Sequence, residues 1–105
     1  MEEIWNDIEY GASVSISYEI TLGAWVMHFE EGNINKITPR LYRKLLIGLN
    51  TIKEILKAKK ISHIYGICET KKERKFNELF GFKQVPNGII LTEEGLLNYL
   101  TVLEI

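Results

Sequence analysis

Alternating apolar and polar residues predict two strands in the first third of the chain. Between residues 13 and 20 every second residue is apolar, the period of a half-buried strand, with Val14, Ile16, Tyr18 and Ile20 on one face and Ser13, Ser15, Ser17 and Glu19 on the other. Residues 24–29 alternate in the same way, with Trp25, Met27 and Phe29 opposite Val26 and His28. The short Thr21-Leu22-Gly23 connection makes these strands an antiparallel hairpin. Residues 3–9 predict a short edge strand.

A helical period replaces the alternation after residue 37. Thr38 and Pro39 are typical of a helix start, because Thr caps the free N–H groups and Pro at the first position loses no needed donor. Apolar residues then recur at spacings of three and four, namely Leu41, Leu45, Leu49, Ile52 and Leu56. Cations line the opposite side, so the pattern predicts an amphipathic helix of about five turns that ends near residues 57–60.

The remaining pattern completes a mixed α/β (α+β) domain that spans residues 1–105. Residues 61–68 are apolar without alternation, which predicts a central strand buried on both faces. A second helix over residues 70–80, with Phe76, Leu79 and Phe80 inward, ends at Gly81. Residues 82–92 predict a strand bent at Pro86-Asn87-Gly88, followed by a Glu93-Glu94-Gly95 turn and a last strand over residues 96–105. The sheet therefore contains a β-α-β crossover and a C-terminal β-hairpin.

The end of the second helix carries a family resemblance. Residues 72–82 read KERKFNELFGF, and the helix runs through Glu78-Leu79-Phe80 into Gly81-Phe82. Together with the element order, this segment resembles the fold of the GCN5-related N-acetyltransferases (GNAT), over residues 12–105. The family's first strand and first two helices are absent or replaced by residues 1–10. The size and the lysine-rich long helix are also similar to small GNAT-like internal virion proteins of short-tailed bacteriophages.

The resemblance implies acetyl-CoA as the cofactor, bound at the start of the long helix. The residues available there are Lys36, Thr38, Arg40, Arg43 and Lys44. The family holds the pyrophosphate on a Gln/Arg-x-x-Gly-x-Gly/Ala loop, where free N–H groups point at the phosphates and glycines allow close approach. Here Gly32 is the last glycine before the helix and Pro39 removes an N–H group. The cations could supply charge but no backbone cradle.

The resemblance also implies a general base and a general acid. Glu30 and His28 lie on the strand before the long helix and are the candidate bases. Alternatively, Glu30 is only a solvated residue at the strand end, and His28 is only a partly buried strand residue. The family's acid is a Tyr four residues before the Gly of Gly-Phe, and that position is Asn77 here, which cannot donate a proton at useful cost. Tyr65 and Cys68 on the neighbouring strand are alternatives.

The distribution of charge adds a candidate surface. The 105 residues have a net charge of −1, yet residues 1–35 carry seven acids and no Lys or Arg, and all 13 basic residues lie between Lys36 and Lys83. This basic block predicts a solvated helix face, a site for an anion such as CoA phosphates, or a surface for nucleic acid or an acidic protein. The acidic first block argues against nucleic acid. It also favours head-to-tail contacts between copies.

The two departures from the family motifs favour a degenerate, non-catalytic GNAT-like domain with a binding or structural role, and the resemblance to the virion proteins implies a phage origin. The alternative is an acyl-CoA-dependent N-acyltransferase. We expect a protein partner or self-association, through the basic helix or an open sheet face bearing the row of serines. We expect no membrane span, no secretory signal and no metal site. The single Cys68 excludes an internal disulfide and suits a reducing cytosol, of the host or within a virion.

Overall fold

A six-stranded mixed sheet and two helices make up the fold. The computed structural model describes residues 1–91, 94–95 and 97–105. The elements are β1 (Glu2–Asp7), β2 (Ala12–Glu19), β3 (Ala24–Glu30), α1 (Pro39–Ala58), β4 (His63–Cys68), α2 (Lys71–Leu79), β5 (Lys83–Leu91) and β6 (Leu97–Glu104). The strand order is β1-β2-β3-β4-β6-β5, with β3 and β4 parallel and every other neighbouring pair antiparallel. The α+β class, the leading hairpin, the edge strand and the C-terminal hairpin are confirmed.

Both helices pack on one face of the sheet. Val14 pairs with Phe29 across the β2–β3 hairpin, so their side chains share a face. On that face the Phe29 ring stacks on Phe76 of α2 at 5.1 Å. Leu45 of α1 belongs to the same buried cluster as Phe80, which follows α2. The opposite face carries the serine row of β2, and no helix of the described residues covers it.

The helix boundaries follow their capping residues. Thr38 accepts a hydrogen bond from the Leu41 N–H at 3.2 Å, and Pro39 occupies the first turn as expected. Four of the five predicted inward residues of α1 are buried, and Leu49 is half-buried. Gly81 ends α2 with a φ of +95°, which glycine adopts without a side-chain clash.

Three sequence predictions are wrong in detail. Residues 61–68 are not buried on both faces, because β4 begins at His63 and Ile67 on the uncovered face is 37% exposed. Tyr18 and Ile20 are 53% and 87% exposed, since the hairpin tip extends past the helices. Leu79 is 48% exposed because Phe76 and Phe80 occupy the inner side of the short α2.

The bend in β5 is confirmed. Its register against β6 shifts between Gln84 and Ile89, and Asn87 has a φ of +57° within this irregular stretch. Glu94 and Gly95 lie in a turn or bend. The predictions for Thr92, Glu93 and Leu96 lie outside the described residues. In the described part of the chain, no helix is long and apolar enough to cross a membrane.

An ion pair ties α1 to the edge of the sheet. The Lys44 Nζ lies 2.6 Å from the Asp7 carboxylate and 2.9 Å from that of Glu9. The hydrogen bond from Lys44 holds the pKa of the Asp7 carboxyl below its usual range, and the hydrogen bond to Asp7 raises the pKa of Lys44. A carboxyl whose pKa is lower in the folded than in the unfolded state adds stability above its unfolded pKa and loses it as the pH falls.

We therefore predict that Lys44→Met lowers the free energy of unfolding at pH 7. The deficit shrinks as the pH falls through about 4, the unfolded pKa of Asp, towards the lower folded value, because Asp7 becomes protonated in both proteins. Urea unfolding at several pH values measures the deficit. Lys57→Met is the matched control, because Lys57 pairs with Glu54 only on the exposed side of α1. A deficit that is constant with pH, or equal in the control, would contradict the prediction.

Candidate functional site

Strands β3 and β4 separate towards their carboxyl ends. Their parallel register contains one residue pair, Val26 with Tyr65. Beyond this pair β3 stays paired with β2 as far as Glu30, and β4 stays paired with β6 as far as Cys68. The sides of β3 and β4 that face each other after this pair therefore border a cleft within the sheet, defined here as the β3–β4 cleft.

A cavity of about 580 Å³ occupies the β3–β4 cleft and continues beneath the helices. This volume falls in the range of sites that bind small molecules or short chain segments. Its deep walls are mostly apolar and come from both helices and the sheet, and include Trp5, Met27, Phe29, Leu45, Leu49, Ile52, Phe76, Phe80 and Phe82. Because His28 and Ile67 face the uncovered side of the sheet and also line the cavity, the cavity reaches that side through the cleft.

The loop after β3 is held away from β4. The Asn33 N–H donates to the Tyr10 carbonyl at 2.7 Å, which ties this loop to the turn between β1 and β2. Gly32 has a φ of +57°, and a Cβ there would lie 2.2 Å from the same Tyr10 oxygen. A residue without a side chain is therefore required where the two loops meet. This contact fixes the position of the β3 side of the cleft.

Asn77 fixes the position of the β4 side of the cleft by joining α2 to the sheet. Its side-chain amide donates to the Cys68 Sγ at 3.1 Å and to the Thr101 Oγ1 at 3.2 Å, while Thr101 donates to the Gly66 carbonyl at 3.0 Å. The backbone carbonyl of Asn77 accepts hydrogen bonds from the N–H groups of Phe80 and Phe82. Gly66 leaves room for this network, since a Cβ there would lie 2.7 Å from the Asn77 Nδ2. The residue at the expected acid position is thus engaged in structural contacts.

Cys68 is buried beside Asn77 and is a poor nucleophile. Burial raises the pKa of its thiol, and the hydrogen bond with Thr101 offsets only part of that effect. The thiol therefore stays protonated at neutral pH. Within the described residues, no group of three or more His, Cys, Asp or Glu side chains could hold a metal ion.

The two candidate bases, His28 and Glu30, both line the cavity. His28 Nε2 lies 2.8 Å from the Ser17 Oγ, and Ser17 donates its hydroxyl proton to Glu19 at 3.0 Å. In this arrangement Nε2 carries a proton and donates it to Ser17. His28 therefore has one nitrogen engaged on the uncovered face of the sheet. Glu30 is exposed at the end of β3.

Carboxylates surround the entrance of the cavity. Glu30 and Glu31 lie on the β3 side, and Glu69 and Glu73 lie on the β4 side, all of them exposed. The Glu69 N–H donates to the Glu73 carboxylate at 2.6 Å, which orients that side chain at the start of α2. Lys72 is the one Lys or Arg among the described lining residues. We call these four carboxylates the acidic rim.

The five residues expected at the pyrophosphate lie away from the cavity lining. Thr38 already accepts a hydrogen bond from the α1 backbone, and Arg43 Nε donates to the Pro39 carbonyl at 3.4 Å. Lys44 pairs with acids of the β1 edge, while Lys36 and Arg40 are exposed. The structure therefore brings the candidate bases together at the cavity but does not bring the candidate phosphate ligands there.

The cavity and the acidic rim were not predicted from the sequence. The rim residues are far apart in the chain and became neighbours only because β3 and β4 end at the same edge of the sheet. One usable sign was Gly66 in the middle of an apolar strand, which often marks a close approach of another group. Comparisons with protein-family models, curated proteins and solved structures find no match to this chain.

We predict that Asn77→Ala destabilises the protein by about 1–3 kcal/mol, because it removes the donor shared by Cys68 and Thr101 in a buried network. Chemical denaturation measures the change. Asn50→Ala is the matched control, since Asn50 is exposed on α1 and Ala is a better helix former. Equal stability of Asn77→Ala and the natural chain would show that the network contributes nothing to the fold.

Proposed function

We propose that this chain is a non-catalytic GNAT-like binding domain whose ligand enters the β3–β4 cleft. The proposal includes the phage-derived origin and the cytosolic or virion location expected from the sequence. The observation that carries it is the coexistence of a cavity with apolar deep walls and a polar entrance with positions for acyl transfer that are engaged in other contacts.

The acid position argues against catalysis. Asn77 has no ionisable proton, and both hydrogens of its amide are used by Cys68 and Thr101. Cys68 is the single cysteine of the chain, and burial beside this position raises the pKa of its thiol. A leaving thiolate at this point would find no ionisable proton on Asn77 and, in the Cys68 thiol, only an acid weakened by burial.

The electrostatics of the entrance argue against acyl-CoA. The acidic rim would repel the phosphates of CoA, and Lys72 alone opposes it among the lining residues. At the start of α1, Pro39 lacks an N–H and the Thr38 side chain occupies the N–H of Leu41. The helix end that would hold a pyrophosphate is therefore partly used by the protein itself.

The alternative is an acyl-CoA-dependent N-acyltransferase, and one observation favours it. His28 and Glu30, the candidate bases, both line the cavity, and an acidic entrance would attract an amine substrate. In that function Glu30 would accept the proton of the amine. The arrangement would still need a phosphate site that the five candidate residues do not form around the cavity.

We predict that acetyl-CoA does not bind. In thermal unfolding with acetyl-CoA at millimolar concentration, the melting temperature should stay unchanged. A ligand at about 100 times its Kd would instead add about 2.7 kcal/mol of apparent stability. Transfer of a labelled acetyl group to a mixture of amines and peptides should also stay at the background rate.

A melting-temperature increase that disappears in the Arg40→Ala, Arg43→Ala double variant would overturn the non-catalytic proposal, as would acetyl transfer that disappears in Glu30→Gln. As the positive measurement, a library of random peptides is selected on the immobilised protein. Selected peptides should compete with one another and should fail to bind Ile67→Trp, which narrows the entrance of the cavity. Ile20→Trp, exposed at the hairpin tip, is the matched control.

A further inference from the structure

We infer that the occupant of the β3–β4 cleft is an extended peptide segment that carries Lys or Arg side chains. This inference rests on the proposed function and names the ligand class of the same site. Three observations lead to it: the free strand sides in the cleft, the acidic rim, and the aromatic cavity behind that rim.

The unpaired sides of β3 and β4 in the cleft favour a ligand with an extended backbone. After the Val26–Tyr65 pair, β3 is paired only with β2 and β4 only with β6. The backbone N–H and C=O groups on the cleft sides therefore have no partner strand, and such groups gain stability from hydrogen bonds. A peptide in the β conformation offers donors and acceptors at the matching repeat and can add to one of these sides. About three residues of each strand, 28–30 and 66–68, border the cleft.

The acidic rim favours a ligand with positive charge. Its carboxylates lie on both sides of the entrance, with Glu30 on one side and Glu69 and Glu73 on the other. A cation between them is attracted from two directions, whereas a phosphate or a carboxylate is repelled. Because the rim is exposed, this attraction depends on ionic strength.

The cavity behind the rim fits the stem of a long cationic side chain. Phe29 and Phe76 lie on its wall with Met27, and Trp5 closes its deep end against Gly48. Lys and Arg bury their methylene stems on apolar surface while the charged head stays near water or carboxylates. Aromatic faces add a favourable contact with the cationic head. Rim and wall together thus match both ends of one side chain.

A second copy of this chain does not offer such a segment. Its densest basic stretches lie at the end of α1 and within α2, where the backbone hydrogen bonds are made inside the helices. Of its two edge strands, β1 carries no Lys or Arg and β5 carries only Lys83, so neither offers the repeated cations of an extended basic segment. The partner is therefore a separate chain with an extended basic segment.

The test compares three synthetic peptides of five residues. The first alternates Lys and Val, the second replaces each Lys by Glu, and the third keeps the Lys peptide but carries an N-methyl group on every peptide nitrogen, so that neither edge can donate a hydrogen bond. Amide chemical shifts in ¹⁵N-labelled protein report the binding site, and Trp5 fluorescence in a Trp25→Phe background reports affinity. We expect the Lys peptide to shift residues 28–30 and 66–69 and to bind about tenfold or more tightly than the Glu peptide at low ionic strength. Most of this difference should disappear at about 1 M salt, where the Debye length is about 3 Å.

A double variant and its matched control measure how much the charges of the acidic rim contribute to binding. The Glu30→Gln, Glu69→Gln double variant should weaken the Lys peptide about tenfold, because two of the four rim charges are lost. The matched control is Glu54→Gln, Glu104→Gln, which removes two exposed acids outside the cavity lining and should leave the affinity unchanged. The N-methylated peptide should lose binding, because it cannot pair with a strand.

The outcomes separate this inference from the function on which it rests. If the Glu peptide or the N-methylated peptide binds in the cleft as tightly as the Lys peptide, the ligand class is wrong while the binding function stands. If the Lys peptide shifts only residues of the uncovered sheet face, or none, the inference is also wrong. Binding of acetyl-CoA in the cleft would overturn the proposed function itself.

Discussion

The separation of two parallel strands after a single residue pair is the constraint on which the site depends. Val26 and Tyr65 join β3 to β4, and each strand then continues with its other neighbour. Two sets of contacts hold the strands apart. Asn33 and Gly32 bind the loop after β3 to the β1–β2 turn, and Thr101 and Asn77 bind β4 to β6 and α2. The cavity, the position of the candidate bases and the acidic rim all follow from this opening.

Asn77 shows how one residue type can change the role of a site. A tyrosine at this position would place an ionisable hydroxyl near the cavity, which is the expectation from the GNAT resemblance. Asparagine instead supplies two N–H donors, and the Cys68 thiol and the Thr101 hydroxyl accept them. Asn77 therefore secures the junction of α2 with the sheet and carries no ionisable proton.

The sequence predicted the elements well because their causes are local. Alternation in residues 13–20, the Thr38-Pro39 start and the Gly81 end each depend on a few neighbouring residues, and each is observed. The exposure of Ile67 could not be predicted, because an apolar run has the same composition whether one or both faces are covered. The cleft depends on contacts between distant residues, such as Asn33 with Tyr10, that no short pattern encodes. Only Gly66 pointed to a close approach in β4.

Amide hydrogen exchange tests the open cleft most directly. Residues 13–16 of β2 pair with both β1 and β3, with one irregularity in β1 opposite Val14 and Ser15, so most of their amides should be protected. In residues 28–30 and 66–68, protected amides should alternate with rapidly exchanging ones, because one side of each strand has no partner. A bound basic peptide should slow the rapidly exchanging set. Continuous protection of both segments in the free protein would mean that β3 and β4 are paired along their length, and it would contradict the account.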